Sequence, residues 1–304
     1  MKIYKPSILE SYFLKMSSLM LQSTIKLFFL CNFLIAQGDT EVYLFDLISN
    51  ANNYSINNPI NISNNNGYDN QPSFMKNGRS ILFSSTRNGQ TDIVSYNIRS
   101  GKKTWLTNTD GSEYSPQQIG NSKTFSAIRL DKDGTQLLYK YSMYSNKSSV
   151  LIPKLKVGYY AWANKNQIYC FILGNPPTFE IFDLKTEDKI YIDDQIGRSI
   201  HDNNKNNFVS YISKQNKDWT INTVNKKSRE TQILTNTLSR SEDLNWITSK
   251  TIIMGKENKL YQYELSRNSG WIEIADLSKY GLNKISRISV SPKKDKVAIV
   301  VEKN

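Results

Sequence analysis

One column of residues recurs along this chain at nearly constant spacing, and it constrains the fold more than any other feature. Phe74 (QPSFMKNG), Gln118 (SPQQIGNS), Trp162 (YAWANKN), His201 (SIHDNNKN), Trp246 (LNWITSK) and Val290 (SVSPKKD) are separated by 44, 44, 39, 45 and 44 residues. A period of this size means that each unit is one supersecondary piece, and that pieces must stack to bury a core. A second column falls about 20 residues later, where a short strand ends in a polar residue flanked by apolar ones. It reads IVSYNI from Ile93, EIFDL from Glu180, TINTV from Thr220 and YQYEL from Tyr261. A third column closes the unit at Leu106-Thr107 and Leu234-Thr235, with Ile274-Ala275 a looser copy.

Within a unit the expected strands are short, alternating and punctuated by turns. Asn77-Gly78 separates Pro72–Phe74 from Ser80–Ser84, and Asn88-Gly89 turns the chain into Asp92–Ile98. Asn-Gly supplies the positive backbone angles a tight hairpin needs. Asp133-Gly134 does the same between Phe125–Leu130 and Thr135–Tyr141, and Lys103–Thr107 closes the first unit. Four strands per period of 40–45 residues is the arithmetic of a β-propeller blade. The ends give the count. Residues 283–304 offer two strands, Ile285–Val290 and Lys296–Val301, and the N-terminal side offers two more, Val42–Leu47 and Asn58–Ser63. Together they make one shared blade beside five complete ones. The expectation is an all-β, six-bladed propeller with four-stranded antiparallel blades. It forms a single domain over 38–304, with no sheet edge left open by a linear array.

The first unit resembles the TolB-type propeller repeat. Pro72-Ser73-Phe74-Met75-Lys76-Asn77-Gly78, the apolar Ile81-Leu82-Phe83, Asp92-Ile93 and the closing Leu106-Thr107 follow its order, and Val290-Ser291-Pro292-Lys293 with Asp295 gives a partial second copy. The other blades keep the spacing and lose most of the letters. The resemblance implies a six-bladed propeller of the cell envelope, in a family whose better known members dock other proteins. Nothing matches the separate N-terminal domain of TolB, so a bare propeller is expected and not TolB itself.

Ahead of the repeats, Leu27–Ala36 is an apolar run of ten residues behind Lys26, ending in Ala36-Gln37-Gly38. Spanning a bilayer takes about 20 apolar residues, so the run reads as the core of a secretory signal peptide over 1–37. Met20 would begin a more compact version of it. Cys31 follows Leu30, where a lipoprotein signal needs a small residue, so no lipid anchor is expected. Export would place the protein in the periplasm or outside the cell, with a mature chain starting near Gly38. Residues 1–37 hold four Lys and one Glu, so the net charge of +12 becomes +9 without them. That charge is scattered, without a basic run, and export separates the chain from nucleic acid. No nucleic-acid partner is expected. An Asn-, Lys-, Ile- and Tyr-rich composition reads first as the drift of an AT-rich genome; attraction to an acidic envelope surface is the functional alternative.

Catalytic chemistry finds little material. One histidine, His201, is the only base a Ser-His-Asp triad could use, and no Gly-x-Ser-x-Gly elbow occurs. It falls in the repeating column and reads as a first-strand packing residue. Cys170 lies in the apolar IYCFIL and reads as core. Asp131-Lys132-Asp133-Gly134 lacks the later ligands of a calcium loop and reads as a hairpin turn. The pairs Glu187-Asp188, Asp193-Asp194 and Glu242-Asp243 read as exposed turns, since neighbours on a strand point to opposite faces. No catalytic residue, metal or cofactor is assigned. The expected site is the channel mouth where each blade's first strand begins, three residues before the repeating column: Gln71, Ser115, Tyr159, Arg198, Asp243 and Arg287. Asp69 and Glu113, two positions further back, are grouped with it. The binding set is Asp69, Glu113, Tyr159, Arg198, Asp243 and Arg287, suited to a polar or peptide ligand. The function expected is a non-enzymatic module, a monomer, that docks an envelope protein or peptide. The alternatives are carbohydrate or small-molecule binding, or a propeller enzyme of the lyase or lactonase kind.

Overall fold

A computed structural model describes residues 38–50, 53–145, 147–267 and 270–303. The signal-peptide assignment over 1–37 lies outside the described residues. From Thr40 on, six four-stranded antiparallel sheets follow one another. Blade 1 runs from Asp69–Phe74 through Ser80–Arg87 and Gln90–Asn97 to Lys103–Trp105. Blades 2 to 5 begin at Ser112–Gln118, Val157–Trp162, Ile196–Asn203 and Leu244–Trp246, each in the same inner-to-outer order. The closing blade is shared between the two ends. Its inner strands are Asn283–Val290 and Lys296–Glu302, and its outer strands are Thr40–Asn50 and Asn53–Asn61. Tyr43 pairs with Ile299 and Phe45 with Val297, so residues far apart in sequence form the middle of one sheet.

Packing explains why blades of such different sequence keep one spacing. Six apolar clusters hold the described core, one at each interface between neighbouring blades. Every sheet is therefore covered on both faces, and its second strand is buried along most of its length. Ser80–Arg87, Thr251–Lys256 and Lys296–Glu302 each hold five consecutive buried residues. Alternation, expected throughout, fails in these strands because a sheet packed on both sides has no wet face. The outermost strands, such as Lys103–Trp105, are exposed. Any change that separates two blades exposes one whole cluster. Cys170 is fully buried within the cluster between blades 2 and 3 and is a free thiol.

Candidate functional site: the central channel

The six inner strands surround a channel of about 1010 Å³. Phe74, Gln118, Trp162, His201, Trp246 and Val290, the repeating column, all line it. The column thus marks one ring of the channel wall. Two of its members fasten blades in the same way. Trp162 Nε1 donates to Ser126 Oγ and Trp246 Nε1 to Ser210 Oγ, both at 2.9 Å and both reaching the second strand of the preceding blade. His201 Nε2 lies 2.9 Å from Ser199 Oγ. Burial lowers the His201 pKa to about 4, so its imidazole is neutral near pH 7.

One end of the channel, the inlet, is where each chain segment arrives from the preceding blade. Gln71, Ser115, Tyr159, Arg198, Asp243 and Arg287 all line the channel. Backbone irregularity brings them there. Gln71 and Ser115 have left-handed backbones, with φ of 55° and 53°, and each precedes a proline. The strand register slips at both places, as a β-bulge requires. Gln71 Oε1 accepts from the Ser115 amide at 2.8 Å and from Ser84 Oγ at 3.0 Å, tying blade 1 to blade 2.

Opposite this neutral half the inlet is charged. Arg198 grips Asp243 with Nε at 3.1 Å and with Nη2, a fork on one carboxylate. Arg287 Nη1 reaches the same carboxylate at 3.2 Å, and its guanidinium stands 5.7 Å from the centre of the Tyr159 ring. Glu242 receives Lys214 Nζ at 2.8 Å and the Arg198 amide at 3.1 Å. Burial works against the Arg198 charge, but Asp243 more than offsets it and raises the guanidinium pKa. Burial likewise opposes the Glu242 charge, yet Arg198 and Lys214 hold that carboxyl below its usual range. Glu242 and Asp243 are therefore not an exposed turn. Both side chains are mostly buried, in one network with three cations. Glu242 and Lys214 were missed because Glu242 meets Arg198 from 44 residues away and Lys214 from 28, across two blades and with no local signal.

Asp69 and Glu113 do not join the inlet. Both are fully buried, away from the channel. Two positions back along a regular strand is the same face; the bulges at Gln71 and Ser115 break that period and turn both carboxyls between blades. Ser85 donates its hydroxyl to Asp69. Thr109 donates to Glu113, as does Tyr141 at 3.3 Å. Burial raises both carboxyls to about 7. Elsewhere, Asp131 pairs with Arg129 at 2.8 Å and Asp133 accepts the Thr135 amide, as a hairpin turn would. Among the described residues no three His, Cys, Asp or Glu side chains gather where they could hold a metal ion. No helix among those residues is long and apolar enough to cross a membrane.

No protein-family model matches the sequence, and no curated protein matches it. Solved structures do. The putative TolB from Agrobacterium tumefaciens aligns with a TM-score of 0.67 at 8% identity, over 88% of this chain and 99% of that one. TolB from Acinetobacter baumannii aligns at 0.53 and 10% identity, over 86% and 63% of the two chains. An oligogalacturonate lyase in complex with manganese aligns at 0.55 and 9% identity, over 89% and 99%. The likeness is one of fold. By fold the chain is a TolB-like six-bladed β-propeller, and it is not TolB itself.

Proposed function

We propose that this protein is an exported, non-catalytic docking module that captures a protein or peptide partner at the channel inlet. One observation carries the reading. Tyr159, Arg198, Asp243 and Arg287, from four different blades, meet at one mouth of an open channel, with the Arg198 side chain still 30% exposed. The arginine N–H groups not engaged by Asp243, and an aromatic ring held rigid in advance, suit a backbone carbonyl or a carboxylate, and rigidity limits the ordering cost of binding. The resemblance to TolB-type repeats supports the same reading, since the better known members dock proteins in the envelope. Trp162 and Trp246 favour a second reading. Both line the channel with their ring nitrogens already bonded to serines, and tryptophan rings can stack on sugars.

Site-specific photo-crosslinking separates these readings. A benzophenone side chain in place of Tyr159 is expected to form an adduct with an envelope protein in intact cells. The same group at Tyr191, exposed on the outer strand of the same blade, is expected to form none. Adducts at 191 alone would move the partner to the rim. No protein adduct at either site, with a soluble glycan quenching the tryptophan fluorescence, would favour the sugar reading. The N-terminus of the same native material should read from near Gly38; intact residues 20–37 in a soluble fraction would refute export.

A further inference from the structure

Charge that is scattered along the sequence is gathered on the molecule. In every blade the first strand ends in a turn at the channel mouth opposite the inlet, because all six inner strands run the same way along the channel. Each of these turns carries an exposed lysine: Lys76, Lys123, Lys165, Lys205, Lys250 and the pair Lys293-Lys294. The turns hold one carboxylate, Asp295, and its Oδ1 already accepts the Ser291 hydroxyl at 2.7 Å. None of these lysines joins an ion pair among the described residues. Neighbouring turns are in touch: the Lys76 amide donates to Gln118 Oε1 at 2.8 Å, and a Cβ at Gly78 would lie 3.6 Å from the Lys293 side chain. The third-to-fourth turns reach the same face by antiparallel alternation and add Lys102, Lys147, Lys185 and Lys227 further out, where Glu187, Asp188 and Glu230 stand beside them, so the unmixed positive charge is that of the inner ring. The opposite face mixes signs, with Asp131, Asp133, Asp218 and Glu257 in its second-to-third turns.

We propose that this lysine ring docks the protein on an anionic lipid bilayer. Cations spread round the whole disc cannot converge on a point ligand, whereas a flat sheet of negative headgroups meets all of them at once. Lysine is a strongly hydrated point charge without the planar fork of arginine, so the ring reads charge density and not a motif. The inner turn tips, such as Asn77-Gly78 and Asn204-Lys205, are polar, and the large exposed aromatic on this face is Tyr144 beside Lys123. Adsorption is then electrostatic, reversible and salt-sensitive. It leaves the inlet facing away from the membrane. This inference stands apart from the docking reading of the inlet.

The test is sedimentation with phosphatidylcholine vesicles, with and without a one-third share of phosphatidylglycerol. Binding is expected only to the anionic vesicles and is lost as salt rises. Lys76→Gln, Lys165→Gln, Lys205→Gln and Lys294→Gln combined should weaken it at least about tenfold. Lys132→Gln, Lys154→Gln, Lys156→Gln and Lys217→Gln remove equal charge from the inlet face and should leave it unchanged. Both variants should melt as the parent does. Absence of vesicle binding, or equal weakening by the two variants, would overturn the proposal. Capture of soluble polyglutamate without vesicle binding would overturn it in favour of an acidic protein.

Discussion

Asp92 and Thr107 show which letters of a repeat are worth reading. Asp92 is buried and accepts Arg87 Nε at 2.8 Å and the Thr107 hydroxyl at 3.1 Å, while Thr107 Oγ1 accepts the Ile93 amide at 2.8 Å. The Asp-Ile and Leu-Thr letters were legible because they form one network that pins the fourth strand to the third. Asp69 and Glu113 were misplaced because their fate depends on a neighbour's backbone angle. Their burial has a pH signature. Folding raises both carboxyls to about 7, against about 4 in an unfolded chain. Between those values the unfolded chain has released protons that the native state retains. Stability therefore falls as pH rises through the window, and levels off above it. Asp69→Asn removes one share of that loss. Its melting temperature should exceed the parent's near pH 8, with the difference shrinking towards pH 4. A difference of the same size at both pH values would contradict the assignment.

At the scale of elements, turns were readable and bulges were not. Gly78, Gly89 and Gly134 have φ of 66°, 74° and 84°, the angles that made their Asn-Gly and Asp-Gly pairs recognisable. A glutamine or serine in a left-handed backbone gives no such signal, so the bulges that aim Gln71 and Ser115 were invisible in the letters. The first strand of blade 4 has its own device. A Cβ at Gly197 would come within 2.7 Å of Glu242 Oε2 and 2.9 Å of Ile212 Cβ. This close approach lets Glu242 sit between Lys214 and the Arg198 amide. Gly197→Ala should therefore lower stability by about 1–3 kcal/mol in denaturant melts. It should also weaken capture at the inlet by displacing Glu242 from Arg198. An unchanged midpoint would show that the strand yields without cost.

At the scale of the whole molecule, period and count were legible because stacking demands equal spacing, and because two unpaired strands at each end can only complete one another. The lysine face was not, since no window of sequence holds more than one turn of the ring. It emerges once a period of about 44 residues maps six distant turns to one face. Both mouths, and every cross-blade contact at the inlet, depend on closure of the ring by Thr40–Asn50 and Asn53–Asn61. These strands complete two of the six apolar clusters, through Phe45, Leu47 and Ile56 on one side and Val42 and Leu44 on the other. Removing residues 38–63 would bare both clusters and leave Lys296–Glu302 as an unpaired apolar edge, which is a template for aggregation. Thermal unfolding of that shortened chain, followed by circular dichroism beside the parent, is the direct measurement. The account predicts a chain that aggregates or melts without cooperativity; a cooperative transition at the parent's midpoint would contradict it.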